Sequence, residues 1–139
     1  MSILIDEKTT VLVQGMTGRI GRIQTAHMLG AGSKIAAGVT PGKGGVSIEG
    51  LPVYDTVAEA VKNHTITASI LFVPPGGAED SCIEAMAAGV KCLVVITEHI
   101  PVHDTLRIRA WAERYGAIVV GPNTAGMISP AQAKRGWSA

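Results

Sequence analysis

The chain has 139 residues, of which 47% are hydrophobic, so it can form one domain that buries roughly two-thirds of its unfolded surface. A formal net charge of +1 and a pI near 7.8 exclude a general electrostatic attraction to nucleic acid or to an acidic membrane surface. No apolar run approaches the ~18 residues of a membrane span, and no secretory leader precedes Asp6 and Glu7, so we expect a soluble, cytoplasmic protein.

Five short apolar runs predict the strands. Each is mostly aliphatic or β-branched and lacks polar alternation, which is typical of strands covered on both faces in a parallel sheet. The runs are residues 11–13, 35–37, 70–73, 92–96 and 118–120. The two cysteines, Cys82 and Cys92, belong to no metal-binding pattern and are expected to be reduced and packed.

Segments with helical spacing separate the runs, at residues 20–30, 57–63, 78–88 and 104–115. In the last segment Leu106, Ile108 and Trp111 mark an apolar side. Gly89 and Gly116 stand where C-terminal caps are expected, and Asp55 or Thr56 could cap the start of the second helix. The alternation predicts an α/β fold of Rossmann type, with a doubly wound, mostly parallel sheet of about five strands.

In such a sheet, ligands bind beyond the carboxyl ends of the strands, near the point where strand order reverses. All the loops that follow the runs are rich in glycine, proline or small polar residues, which suits close backbone approach to a ligand. Ordinary turns need the same residues, so composition alone does not separate binding from structure. The loops are residues 15–21, 40–45, 74–77, 97–101 and 121–126.

The first of these loops, residues 15–21, is called the glycine turn below. It places Gly15, Gly18 and Gly21 at three-residue intervals before a helix, where backbone N–H groups and the positive end of the helix dipole favour an anion. Thr17 adds a hydroxyl and Arg19 a cation. The pattern predicts a phosphorylated ligand, although turns of this kind serve NAD, NADP, flavins and coenzyme A, and some serve only packing.

The second loop, residues 40–45, is called the lysine loop below. A dinucleotide site usually has Asp or Glu at the end of the second strand, but the first carboxylate after that strand is Glu49. Thr40 and Lys43 stand there instead, and a lysine suits the 3′-phosphate of coenzyme A. The loop is not a Walker A motif, because Gly44 follows Lys43 where Ser or Thr should bind magnesium. A solvated lysine in a mobile loop is the alternative.

Taken together, ordered motifs along almost the whole chain resemble the N-terminal coenzyme A-binding domain of the α subunit of succinyl-CoA synthetase, a family that includes malate-CoA ligase. Arg19-Ile20, His99 and Thr124-Ala125 depart from the family's usual residues. The matching motifs are Met1 to Asp6, Gln14-Gly15-Met16-Thr17-Gly18, Gly38 to Gly45, Gly50 to Tyr54, Phe72-Val73-Pro74, Ile96-Thr97-Glu98, Ile100-Pro101 and Gly121-Pro122-Asn123 with Gly126.

This resemblance implies a domain over residues 1–139 that binds coenzyme A as part of an acid-CoA ligase. It implies that Thr17 to Ile20 hold the phosphates, that Lys43 contacts the nucleotide end, and that residues 96–98 line the path to the thiol. Phe72 would pack against the adenine or the pantetheine. The candidate binding residues are Gly15, Thr17, Gly18, Arg19, Ile20, Gly21, Thr40, Pro41, Lys43, Phe72, Val73, Pro74, Ile96, Thr97, Glu98 and Asn123.

The resemblance also implies that the phosphorylated histidine of the family is absent from these residues. In the family a second domain carries a phosphorylated histidine, and none of His27, His64, His99 and His103 matches it. Chemistry would therefore need a ligase β subunit or additional ligase domains. Two other hypotheses stay open. The first is an NADP-dependent reductase domain, since the glycine turn also resembles that of dihydrodipicolinate reductases. The second is a coenzyme A sensor without catalysis.

Overall fold

A computed structural model of the chain describes residues 9–121. Strands and helices alternate along this range, as the apolar runs predict. The strands are β1 (Thr10–Gln14), β2 (Lys34–Val39), β3 (Ser47–Ile48), β4 (Leu51–Tyr54), β5 (Ala68–Leu71), β6 (Cys92–Val95) and β7 (Ile118–Val120). The helices are α1 (Arg19–Gly30), α2 (Val57–Asn63), α3 (Ala78–Ala87) and α4 (Val102–Tyr115), and a short 3₁₀ turn covers Pro75–Gly77.

All described strands form one sheet in the order β3-β4-β2-β1-β5-β6-β7. Every neighbouring pair is parallel except β3 with β4, which form an antiparallel hairpin at one edge. This confirms the doubly wound, mostly parallel fold. The described sheet has seven strands rather than five, because the β3–β4 hairpin was not predicted: it is short, contains Pro52, and buries only Ile48 and Val53.

The core lies on both faces of the sheet. On one face Leu12, Leu71 and Leu93 pack with residues from α2, α3 and α4, and Met86 and Ile108 are fully buried there. The other face holds the alternate residues of the same strands and the apolar residues of α1 and its preceding turn, including Met16. Helices therefore cover both faces, as expected for strands without polar alternation.

Local signals at the helix ends are partly confirmed. Gly116 caps α4 in the left-handed conformation with φ 68°, and Gly89 follows α3 with φ 99°. Thr56 caps α2, its side-chain oxygen accepting from the Glu59 N–H at 3.2 Å. Asp55 has a different role, described below. No helix within residues 9–121 is long and apolar enough to cross a membrane.

Two sequence interpretations of apolar residues were wrong. Leu106 was placed on the buried side of α4, but it is 56% exposed, and the buried stripe of that helix is formed by Ile108 and Ala112. The fourth apolar run was extended to Ile96, but β6 ends at Val95 and Ile96 is exposed. Hydrophobic character alone does not fix the side of a helix or the last residue of a strand.

Candidate functional site

The sheet reverses its strand order at β1. From β1 the chain passes to β2 and β4 on one side, and then returns to β5 on the other side. The carboxyl ends of β1, β2, β5 and β6 lie along one edge because these strands are parallel. The glycine turn, the lysine loop and the loops after β5 and β6 therefore meet at the edge where α/β proteins bind ligands.

The glycine turn is held close to its neighbours by its backbone. Gly15 has φ 84° and donates its N–H to the Val39 carbonyl at 2.8 Å, and a Cβ at this position would lie 2.8 Å from the Phe72 carbonyl oxygen. Gly18 donates to the Gly15 carbonyl at 3.2 Å. A Cβ on Gly21 would collide with that same Gly15 carbonyl. Gly15 and Gly21 are thus needed for the turn itself, while Gly18 is exposed.

The amino end of α1 lies at this edge, and its first backbone N–H groups stand outside the helical ladder. The helical ladder starts with the Arg22 N–H bonding to the Gly18 carbonyl at 2.9 Å, so the N–H groups of Arg19, Ile20 and Gly21 precede it. Gly18 provides no side-chain cap, and the first turn of α1 contains no acidic residue. Arg19 and Ile20 are exposed. This end of the helix can therefore receive an anion.

Arg22 is a cation that sequence reasoning missed. Its Nε donates to the Thr17 carbonyl at 3.0 Å, which holds the guanidinium against the glycine turn from one helical turn into α1. The side chain is exposed otherwise. The available signal was its position three residues after Arg19, which places the two side chains next to each other on the helix surface.

The lysine loop lies directly beside the glycine turn. The Thr17 N–H approaches the Thr40 hydroxyl oxygen at 3.4 Å, so the first and second loops are in contact. Thr40 donates its own N–H to the Tyr54 carbonyl at 3.0 Å, and Lys43 donates its N–H to the Thr40 carbonyl at 3.0 Å. Pro41 and Lys43 are exposed.

Asp55 organises the lysine loop, which sequence reasoning did not find. One carboxylate oxygen accepts the N–H of Gly42 at 2.8 Å and the N–H of Gly44 at 2.9 Å. Asp55 follows β4, which pairs in parallel with β2, so the carboxylate arises at the edge from which the loop leaves. It was considered as a cap for α2 because carboxylates often fill that position.

The loops after β5 and β6 are also joined to their neighbours by hydrogen bonds. Phe72 continues the sheet by donating its N–H to the Gln14 carbonyl at 2.8 Å, and Ile96 donates to the Leu71 carbonyl at 3.2 Å. The Thr97 hydroxyl donates to the Val73 carbonyl at 2.6 Å. Phe72, Val73 and Thr97 are half-buried, whereas Pro74, Ile96 and Glu98 are exposed.

A buried polar pair supports this edge from below. The Ser69 hydroxyl donates to the Gln14 side-chain oxygen at 2.6 Å, and the Gln14 amide donates to the Ser81 carbonyl at 3.1 Å. Gln14 is 2% exposed, yet both ends of its amide are satisfied. It therefore links β1, β5 and α3 directly beneath the point where strand order reverses. The sequence signal was a glutamine at the end of an apolar run.

The histidines near the edge are not arranged as a catalytic centre. His99 has φ 63°, and its Nε2 lies 4.0 Å from a Glu98 carboxylate oxygen, but the two side chains are 90% and 82% exposed. His103 is exposed on the first turn of α4. Within residues 9–121 no group of three His, Cys, Asp or Glu side chains could hold a metal ion. His64 is half-buried, and its Nε2 lies 3.0 Å from the Tyr54 hydroxyl oxygen.

Both thiols are packed, as expected. Burial, with a smaller contribution from the Glu79 carboxylate, raises the pKa of Cys82 from its ordinary 9.0 to about 12. Burial raises the pKa of Cys92 from 9.0 to about 11. Neutral thiols of this kind are poor nucleophiles, so neither cysteine is a candidate for covalent chemistry.

The structure thus brings the described candidate residues to one edge of the sheet. The glycine turn residues Gly15, Thr17 and Gly18 continue into Arg19, Ile20 and Gly21 of α1. The remaining candidates come from the neighbouring loops: Thr40, Pro41 and Lys43 after β2, Phe72, Val73 and Pro74 after β5, and Ile96, Thr97 and Glu98 after β6. Asn123 lies outside the described residues.

The model of the CoA binding domain family matches residues 6–99, which is more than half of the chain and includes the described candidate residues of all four loops. The chain belongs to this family. The match confirms the resemblance on which coenzyme A was predicted as the cofactor, and it covers the glycine turn and the lysine loop together.

Curated relatives match nearly the whole chain. The α2 subunit of the ADP-forming succinate-CoA ligase of Archaeoglobus fulgidus is 50% identical over 98% of this domain. The α subunit of malate-CoA ligase of Methylorubrum extorquens is 48% identical over 98% of it. The chain spans about half the length of these relatives, 47% in both cases.

Solved structures show the same fold. ATP citrate lyase of Methanothrix soehngenii, solved in complex with citrate and coenzyme A, superposes with a TM-score of 0.71 and 22% identity. The superposition covers 86% of this domain and 21% of the lyase chain. At that identity the likeness concerns the fold, and it agrees with the Rossmann-type architecture described above.

Proposed function

We propose that this domain binds coenzyme A along the edge formed by the glycine turn and the loops after β2, β5 and β6. The observation that carries the proposal is the contact between Thr17 and Thr40, which joins the glycine turn to the lysine loop in a domain of this family. In this arrangement the amino end of α1, with Thr17, Arg19 and Ile20, receives the phosphates. A positive helix end and a nearby cation suit that charge.

The lysine loop is proposed to meet the nucleotide end of the cofactor. No carboxylate stands at the end of β2, and one oxygen of Asp55, a carboxylate at the same edge, already accepts two loop N–H groups. Lys43 carries an exposed ammonium at this point, which suits a 3′-phosphate better than a ribose diol. Both features favour coenzyme A over NAD.

The other two loops are proposed to guide the rest of the cofactor. Phe72 would pack against the adenine or pantetheine, with Val73 and Pro74 beside it, and residues 96–98 would line the path to the thiol. Asn123 is a further residue proposed to contact the cofactor. Binding of the remote nucleotide end would then fix the position of the thiol, which lowers the entropic cost of its reaction.

The biochemical setting is proposed to be an acid-CoA ligase of the succinate or malate type, acting in the cytoplasm. The curated relatives are α subunits of such ligases. In that setting the thiol would attack an acyl phosphate formed elsewhere, and a β subunit or additional ligase domains would supply the nucleotide-driven phosphorylation. The domain over residues 1–139 would contribute cofactor binding and orientation.

The test is a calorimetric titration of the 139-residue chain with coenzyme A, dephospho-CoA, NADP and NAD. The proposal expects coenzyme A to bind most tightly, with dephospho-CoA weaker because it lacks the 3′-phosphate. Tighter binding of NADP would favour a reductase domain, and tighter binding of either dinucleotide would contradict the coenzyme A proposal.

A further inference from the structure

The lysine loop has no free backbone donors around its cation. The N–H groups of Gly42 and Gly44 both donate to one oxygen of Asp55, at 2.8 Å and 2.9 Å. The N–H of Lys43 between them donates to the Thr40 carbonyl at 3.0 Å. Three consecutive amides are therefore engaged within the protein. A phosphate at this loop would have to be held by the Lys43 side chain rather than by a nest of backbone N–H groups.

The fit between Asp55 and the loop is close. A Cβ on Gly44 would lie 2.6 Å from one carboxylate oxygen of Asp55 and 2.7 Å from its carboxyl carbon, so residue 44 must be glycine while the carboxylate stays where it is. Gly42 and Gly45 adopt φ values of 82° and 98°, which glycine reaches without strain. Asp55 itself follows the parallel strand β4, so the carboxylate is anchored in the sheet.

We propose that Asp55 is a positioning residue of the binding site. By holding the backbone N–H groups on both sides of Lys43, it fixes the direction from which the lysine ammonium meets the 3′-phosphate of the cofactor. This inference rests on the proposed binding of coenzyme A. It concerns selectivity for the 3′-phosphate rather than binding of the cofactor as a whole. Asp55 acts through hydrogen-bond acceptance, and its negative charge opposes a nearby phosphate.

Acceptance and charge can be separated by substitution. Asp55→Asn keeps an oxygen that can accept both N–H groups and removes the negative charge, whereas Asp55→Ala removes both. Gly44→Ala disturbs the same contact from the other side, and its backbone φ is not in the left-handed region, so the added methyl acts through the collision with Asp55. Thr56→Ala is the matched control, because it removes the neighbouring cap of α2 without touching the loop.

The experiment measures the affinities of coenzyme A and dephospho-CoA for these variants of the full 139-residue chain. Their ratio reports the contribution of the 3′-phosphate. Asp55→Ala and Gly44→Ala are expected to lower the ratio about fivefold, towards that of Lys43→Ala. Asp55→Asn is expected to keep or raise the ratio, and Thr56→Ala to keep it while lowering thermal stability. In a Lys43→Ala background, Asp55→Ala should change the ratio no further.

The outcomes distinguish the two proposals. If the unsubstituted chain does not bind coenzyme A, the proposed function fails. If it binds with a clear preference over dephospho-CoA, and Asp55→Ala or Gly44→Ala weakens both ligands equally or leaves the ratio unchanged, the positioning role of Asp55 is overturned while the proposed function stands. Should Asp55→Ala not fold, the comparison of Gly44→Ala with Asp55→Asn decides: equal ratios in these two variants overturn the inference.

Discussion

Lys43 is the residue on which the proposed discrimination between coenzyme A and its 3′-dephosphorylated form depends. Replacing Lys43 with Ala should remove a charge-assisted contact of roughly 1.5 to 3 kcal/mol, which corresponds to about tenfold or more in coenzyme A affinity. Dephospho-CoA should be affected much less, because it lacks the phosphate that the ammonium meets. Titration calorimetry with both ligands measures the difference. Lys62→Ala, an exposed lysine of α2 away from the edge, serves as the control. Unchanged coenzyme A affinity in Lys43→Ala would make this lysine a solvated surface residue.

The two cysteines give a prediction about the native core. Because Cys82 is buried, Cys92 is half-buried, and their pKa values are raised to about 12 and about 11, neither should react rapidly with a disulfide reagent at pH 8 in the native protein. Both should react after unfolding in guanidinium chloride. Rapid labelling of a thiol without denaturant would contradict the packing described here.

The same shifts determine the sign of the pH dependence. The folded pKa values lie above the ordinary value of 9.0, so the unfolded chain loses its thiol protons first. The stabilisation from neutral, buried thiols is therefore fully present below pH 9, and it is lost as the pH rises through the window from about 9 to about 12. Denaturant midpoints measured at pH 7, 9 and 10.5 should fall over the last interval, and Cys82→Ala should make the fall shallower.

At the scale of elements, two glycines of the glycine turn have different roles, which their even spacing in the sequence does not reveal. A Cβ on Gly21 would collide with the Gly15 carbonyl, whereas a Cβ on Gly18 would lie 3.5 Å from it, an ordinary contact. Gly21→Ala should therefore destabilise the strand-turn-helix unit by about 1 to 3 kcal/mol. Gly18→Val should fold normally, since its φ of −70° suits any residue, and should weaken coenzyme A binding about tenfold.

Thermal unfolding and ligand titration of the two variants provide the check. A Gly18→Val protein with normal affinity for coenzyme A would show that the phosphates lie elsewhere. A fully stable Gly21→Ala protein would show that α1 can move away from β1, contrary to the close approach seen here.

For the molecule as a whole, we predict cofactor binding without catalysis. The 139-residue chain should bind coenzyme A yet form no acyl-CoA from ATP or GTP and a dicarboxylic acid. His99 and His103 are the local candidates that could overturn this, but both are exposed, and the Glu98 carboxylate that lies 4.0 Å from the His99 ring is exposed too. The measurement is incubation with labelled ATP or GTP, followed by a search for acid-labile phosphohistidine. A phosphorylated His99 or His103, or acyl-CoA made without a partner, would make this a minimal enzyme.

The sequence by itself determined the class of fold and the edge of the sheet at which ligand binding is proposed. Unbroken aliphatic runs that alternate with helical segments are typical of a parallel sheet covered on both faces, and parallel strands bring their following loops to the same edge. The sequence alone therefore indicates the glycine turn and the lysine loop as candidate binding loops, and their residues lie together in the structure. The family resemblance added the ligand, because local chemistry left several phosphorylated cofactors open.

Only the tertiary structure decided which residues hold the loops and strands of that edge in place. Asp55 and Thr56 are adjacent and equally suited to cap α2, but Thr56 caps the helix while Asp55 bonds the lysine loop across 11 and 13 positions of sequence. Gln14 likewise bonds Ser69 and the Ser81 carbonyl across 55 and 67 positions. Local patterns report propensity and periodicity within a few residues, whereas these contacts exist only because the chain returns to the same edge after each strand.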